Sequence, residues 1–194
     1  MNILFLMKVF QVILVIIFTV SISDFSRRKD KIPLINKKLI QILELFYFVP
    51  LFIYAYVILN SDTILYFDIF ACIFALVGIG LVVKAKLDLG TQHVWIGYCL
   101  LNTKLVTKGI YAWIRHPLYT GIYVFIIGGL MFVVPRAPFL LTVVALTLVT
   151  YILIFIIFVA RKETQYLTEK LGDEFLKYKN QVHPFLPIKR FKNL

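Results

Sequence analysis

Five apolar runs set the limits on what this chain can fold into. They cover Ile3–Ile22, about Leu39–Leu59, Ile64–Val83, about Leu118–Val134 and Phe139–Ala160. Crossing the hydrocarbon of a bilayer takes about 20 residues of helix. Each run but the fourth, which is the shortest, meets that length. The interruptions are sparse: Lys8 and Gln11 in the first run, Glu44 and Pro50 in the second. Hydrophobic residues make up 61% of the 194 and charged residues 16%. Soluble domains sit near 45–50% and about 25%. The expected class is an all-α integral membrane protein of about five spanning helices. A disordered chain, a disulfide scaffold and an ordinary soluble enzyme are excluded.

The connections alternate in charge. Asn60–Thr63 and Pro135–Pro138 are tight turns at one side. The other side receives three long basic segments: Ser23–Lys38, Lys84–Pro117 and the tail from Arg161. These hold 19 of the 21 Lys and Arg residues, leaving only Lys8 and Arg136 elsewhere. The positive-inside rule assigns all three segments to the cytoplasm and the N-terminus to the outside. The net charge of +11 is then a topological signal rather than a nucleic-acid surface. A cleaved signal peptide ending near Ser21-Ile22-Ser23 is the other reading of the first run. It would leave the basic Ser23–Lys38 segment outside, against the charge rule, so an uncleaved helix is expected. Cys72 lies in an apolar run and Cys99 in a loop, which suggests no disulfide framework. No N-x-S/T acceptor or retention signal occurs. A prokaryotic cytoplasmic membrane is the favoured location, with an internal eukaryotic membrane as the alternative.

Polar detail gathers on the basic side. The Lys84–Pro117 loop ends in Arg115-His116-Pro117. Pro117 suits the first turn of a helix, where its missing N–H costs little. Arg115 and His116 then lie just before a helix N-terminus, which favours an anion. The plainer reading makes Arg115 an interface charge and His116 a cap. In the tail, Leu167, Leu171, Phe175 and Tyr178 form one apolar stripe. The spacing predicts an amphipathic helix over about Lys162–Asn180, interrupted by Gly172. It either lies on the membrane surface or folds back as one wall of a site. The Val182–Pro187 segment follows as an apolar strap. Glu163 is either half of a surface ion pair or a ligand-binding carboxylate at the mouth of the bundle. Asp68 reads as an interface residue, and Glu44 has no assigned role.

These residues resemble a known signature. Lys104-Leu105-Val106-Thr107-Lys108-Gly109-Ile110-Tyr111 leads into Arg115-His116-Pro117-Leu118-Tyr119-Thr120-Gly121. One helical hairpin later come Glu163-Thr164-Gln165-Tyr166-Leu167 and Leu171-Gly172-Asp173-Glu174-Phe175-Leu176-Lys177-Tyr178. Together they resemble the isoprenylcysteine carboxyl methyltransferase family, itself related to membrane phospholipid methyltransferases. Leu89-Gly90 also falls at the family spacing. The resemblance covers about residues 80–190; the first two helices rest on hydropathy alone. It implies S-adenosyl-L-methionine bound at the cytoplasmic face, between the loop and the C-terminal segment. Cofactor contacts are implied for Thr103, Lys104, Leu105, Val106, Tyr111, His116, Pro117, Leu118, Tyr119 and Glu163. Arg115 and Glu163 are the expected catalytic residues, and Arg161 the expected substrate contact. No metal is implied.

The residue types suit that cofactor. Its ammonium and ribose hydroxyls want a carboxylate such as Glu163. Its sulfonium is favoured beside the face of Tyr111 or Tyr119. Leu105 and Val106 offer its adenine an apolar wall. Four positions depart from the family pattern: Thr164 replaces a second acid, Thr103 a His, Ile96 a Gln, and Val159 an arginine linked with substrate carboxylate binding. Arg161 lies two residues further on, which is the wrong face of a helix.

The implied activity is methyl transfer to a carboxylate on a lipophilic acceptor. A carboxylate is already ionised at neutral pH and needs no base. A phospholipid amine would need one, such as Glu163 or His116; a thiol acceptor is intermediate. The acceptor is expected to reach the site sideways from the bilayer, past small positions of the fourth helix such as Gly128. The expected partners are therefore the membrane lipid and this acceptor, with no nucleic acid and no obligate protein partner. A steroid-type reductase fits less well, because Leu118 and Gly121 occupy its Asn and Glu positions. A non-catalytic adaptor is the further alternative. The chain reads as one domain over 1–194, with a helical hairpin at 1–63. Its core at 64–194 carries the motifs 103–121 and 161–187.

Overall fold

The computed structural model describes residues 2–24 and 29–188. The basic residues Arg27, Arg28, Lys189, Arg190 and Lys192 lie outside the described residues. Among the described residues, six α-helices form the body: α1 Ile3–Ile22, α2 Lys37–Asn60, α3 Tyr66–Leu89, α4 Pro117–Val133, α5 Phe139–Leu171 and α6 Asp173–Gln181. Two short strands, β1 Lys31–Pro33 and β2 Tyr98–Leu100, pair antiparallel. Four of the helices are long and apolar enough to span a membrane: α1, α2, α3 and α5. At 17 residues, α4 is the shorter apolar helix. Many large apolar side chains along the bundle are exposed, among them Phe5, Leu45, Phe52, Phe70 and Ile154. Such a surface suits lipid, not water. The chain is a multi-pass integral membrane protein.

Local chemistry explains where the helices start. The side chains of Asn2 and Asn36 accept hydrogen bonds from Leu4 N and Lys38 N, capping α1 and α2. Pro117 opens α4. Pro50 sits within α2 without ending it, as membrane helices allow.

The tightest packing joins α3 to α4. Cβ atoms built on Gly78 and Gly121 would each lie 2.7 Å from the other glycine's carbonyl oxygen. A Cβ on Gly128 would lie 2.9 Å from Ala71 O. Small residues thus let two backbones touch, the usual device where apolar side chains gain nothing by leaving lipid. This corrects one expectation: Gly128 faces α3, not the bilayer. Asp68 differs too. It is buried, with Oδ2 2.7 Å from the Arg136 Nη2 that pairs with it. That pair ties the start of α3 to the turn between α4 and α5.

The predicted tail helix is in fact two elements. α5 runs 33 residues without a break, about 50 Å at 1.5 Å per residue, so its last turns project beyond a hydrocarbon core of about 30 Å. Gly172, at φ +55°, then turns the chain into α6.

The three basic segments meet at one end of the bundle. The strand pairing sets Lys31 opposite Leu100 and Pro33 opposite Tyr98, so the first segment zips onto the second. The tail joins them through a parallel bridge between Ile114 and His183. Lys8 and Arg136 lie at the other end, where Lys8 Nζ donates to Leu59 O.

Candidate active site

The described residues enclose a cleft of about 980 Å³, open mouth included, at the basic end. One wall comes from Thr103–Val106, Tyr111, Arg115, His116, Leu118, Tyr119, Glu163, Leu167, Phe175 and Tyr178. The sequence placed ten of its eleven cofactor or catalytic candidates on this wall. The eleventh, Pro117, is the buried first residue of α4 and supports its neighbours. Arg161 is exposed on α5 and does not line the cleft. Val159 is fully buried in the core.

The tail builds the wall by folding back. Backbone N–H groups of Arg115 and His116 donate to His183 O at 3.0 Å and Pro184 O at 2.9 Å. Arg115 Nε donates to Val182 O, and Thr120 Oγ1 to Phe185 O. The strap is therefore stitched to the Arg-His-Pro turn, which settles the choice between a surface helix and a returning wall. Leu167 of α5 and Phe175 and Tyr178, on one face of α6, are the part of the apolar stripe that reaches the cleft.

A carboxylate sits at the centre. Glu163 Oε2 accepts from Tyr119 Oη at 3.0 Å and lies 3.5 Å from His116 Nδ1. The His116 ring stacks on Tyr119, with centroids 5.4 Å apart and planes within 13°. Thr164 Oγ1 is 3.5 Å from His116 Nε2. The residue standing in for a second acid thus approaches the other nitrogen of the same imidazole. His116 makes no side-chain cap on α4; its ring is committed to the cleft instead.

Tyr111 is fixed from two sides. Its carbonyl accepts from Tyr178 Oη at 2.7 Å. The preceding Ile110 N–H donates to Asp88 Oδ2 at 2.7 Å, and Asp88 is also paired with Lys84. Burial, then Glu163 nearby, pushes the Tyr111 phenol well above its ordinary range, so it stays protonated. The Cys99 thiol is pushed up to about 12 by burial and by Glu163. It is no nucleophile, since the thiolate is the reactive form.

The opposite wall carries none of the expected site residues, although Leu89 and Ile96 on it fall at family positions. It comes from Ile22, Leu89, Gln92–Ile96 and Tyr98–Leu100. Gln92 Oε1 accepts from Lys104 N at 2.9 Å and so holds the start of the first wall. Burial, then Lys86, lowers His93 to about 4, leaving the imidazole neutral at physiological pH. Glu44 lies close enough to Tyr98 to raise its phenol, after burial has done most of that. These residues follow no apolar period, and their proximity to the first wall depends on the strand pairing. No short-range signal marks them. Among the described residues, no group of three or more His, Cys, Asp or Glu side chains could hold a metal ion.

The family model described as phospholipid methyltransferase matches residues 67–174, more than half of the chain. No curated protein matches it significantly.

Proposed function

This chain belongs to the phospholipid methyltransferase family, and on that footing we propose that it uses S-adenosylmethionine to methylate a carboxylate on a lipophilic acceptor. The observation that carries the reading is one cleft wall. On it, Tyr111, the Arg115-His116 turn with Tyr119, and Glu163 of α5 converge from three stretches of chain.

The side chains present fit the cofactor. Glu163 would take its ammonium or ribose hydroxyls. Arg115 would take its carboxylate, as a cation already oriented by the Val182 carbonyl. The faces of Tyr111 and Tyr119 would flank its cationic sulfur. Leu105, Val106, Leu167 and Phe175 would cover its adenine. When bound, the cofactor supplies an electrophilic methyl group. The protein's own contribution is placement and exclusion of water, because a carboxylate acceptor arrives ionised and no proton has to move. Tyr111, held protonated, and Cys99, held as a thiol, add no competing nucleophile.

The charge balance of the lining supports an anionic acceptor. Lys104 and Arg115 are cations on the cleft wall, against the single carboxylate of Glu163. The favoured orientation places this cleft in the cytoplasm by the positive-inside rule, with α4 as a fifth crossing. A second, smaller apolar hollow between α2, α4 and α5, lined by Pro50, Tyr54, Phe125, Gly129 and Val149 among others, would take the acceptor's tail. Gly129 is twelve residues beyond Pro117, about 18 Å along α4. That is a depth a lipid tail anchored at the cleft would reach.

Family membership favours one second reading, N-methylation of a phospholipid amine, for which Glu163 or His116 would serve as base. Labelled methyl transfer separates the two. Purified protein is given methyl-labelled cofactor with N-acetyl-S-farnesylcysteine or with phosphatidylethanolamine vesicles. Label on the farnesylcysteine that mild base releases as methanol is the expected result. Base-stable label on the phospholipid would replace the carboxylate reading with the amine one.

A further inference from the structure

The two walls of the cleft differ in kind. The resemblance assigns the first to the cofactor and leaves the second, from Ile22 and Leu89 to Leu100, without a role. The second wall carries no fixed charge. Its polar side chains are Gln92, His93, Trp95, Tyr98 and Cys99.

Two of these hold buried atoms with no hydrogen-bond partner among the described residues: Trp95 Nε1 and His93 Nε2. Behind them, Tyr47 Oη is a third. The Tyr47 ring meets the Trp95 indole edge-on, with centroids 6.3 Å apart. Trp95 is 8% exposed. Its backbone is fixed by Trp95 N donating to Asp24 Oδ2 at 3.2 Å and by Trp95 O accepting from Tyr98 N at 3.1 Å. A rigid, buried and unmet donor is costly, and native proteins seldom leave one without a use. Two such atoms on cleft-lining side chains, backed by a third on Tyr47, call for a polar group from outside the chain.

The chemistry of the second substrate supplies that group. A methyl acceptor must lie in the same cleft as the cofactor, on the side the cofactor leaves open. In a carboxylate, one oxygen attacks and the other has to be held. Holding it with neutral donors leaves the attacking oxygen its charge and orients the group. We propose that Trp95 and His93 form the acceptor's headgroup subsite, with the Trp95 indole N–H donating to the non-attacking oxygen of an anionic acceptor. This rests on the methyltransferase reading above. A neutral amine would offer that N–H only the lone pair that must attack, so the subsite also selects against amines.

The test is a binding titration on the full-length protein in detergent. The protein is saturated with S-adenosylhomocysteine, the demethylated and unreactive form of the cofactor, and N-acetyl-S-farnesylcysteine is added. Trp95→Phe keeps an aromatic ring against Tyr47 and removes the N–H together with the rest of the pyrrole ring. The expected result is about a tenfold rise in acceptor Kd with the Kd of S-adenosylhomocysteine unchanged. His93→Leu is expected to weaken the acceptor in the same selective way, and gives the same answer should Trp95→Phe fold poorly. Unchanged acceptor affinity in both variants overturns the subsite. So does an equal loss of cofactor affinity, which would make Trp95 and His93 mere supports of the wall. Wild-type protein that binds no S-adenosylhomocysteine overturns the methyltransferase reading first, and the subsite with it.

Discussion

Asp88 governs the most specific motif in the chain without belonging to it. Its carboxylate accepts from Ile110 N, 22 residues away in sequence. A Cβ on Gly109 would collide with the same carboxylate, and Gly109 has φ +61°. The glycine before Ile110-Tyr111 is therefore required twice: for a left-handed backbone and for a close approach. Removing the acceptor leaves the Ile110 N–H without its carboxylate and lets Tyr111 shift. Asp88→Ala is expected to lower stability modestly and to weaken cofactor binding several-fold. Asp88→Asn, which keeps an acceptor oxygen, should recover most of both. Thermal melts and titrations on the two variants check this. The sequence made Gly109 and Tyr111 legible because they sit in a compact motif. Asp88, Gln92 and Trp95 were not legible, since only the folded loop brings them to the cleft.

The pairing of α3 with α4 gives the motif's last glycine its reason. Gly121 closes the Arg-His-Pro signature, and a Cβ there would meet Gly78 O at 2.7 Å and Val82 Cγ2 at 2.8 Å on the neighbouring helix. A branched side chain there must part the two helices along their tightest contact. Gly121→Val is expected to cost about 1–3 kcal/mol and to displace His116 and Tyr119 one turn away. A lower melting temperature and weaker cofactor binding should appear together. Periodicity failed at this scale for a physical reason. In a membrane protein both the lipid face and the helix-packing face are apolar, so pattern alone placed Gly128 toward lipid when it faces Ala71. The break at Gly172 was misjudged as a mere loss of propensity. Its positive φ turns α6 back so that Phe175 and Tyr178 reach the cleft. The run lengths, by contrast, read well: four of the five runs became helices of spanning length.

Across the whole molecule, charge and pairing agree. Three basic segments that are far apart in sequence converge at one end, joined by the β1–β2 pairing and the Ile114–His183 bridge. The buried Asp68–Arg136 pair closes the opposite end. If that basic end is cytoplasmic, as the charge rule assigns it, single cysteines separate the faces in a background freed of Cys72 and Cys99. One at Asp62 should react with an impermeant thiol reagent in intact cells, and one at Lys170 only after lysis. The reverse pattern would invert the protein.

The central claim is that the cleft at this end binds S-adenosylmethionine through Glu163 and His116. Calorimetry of the detergent-purified wild type, Glu163→Gln and His116→Ala tests it most directly. One site is expected in the wild type and at least a tenfold loss of affinity in Glu163→Gln, since a charge-assisted hydrogen bond contributes about 1.5–3 kcal/mol. A clear loss is expected in His116→Ala as well. No binding by well-folded wild type, or binding that neither change weakens, would contradict it.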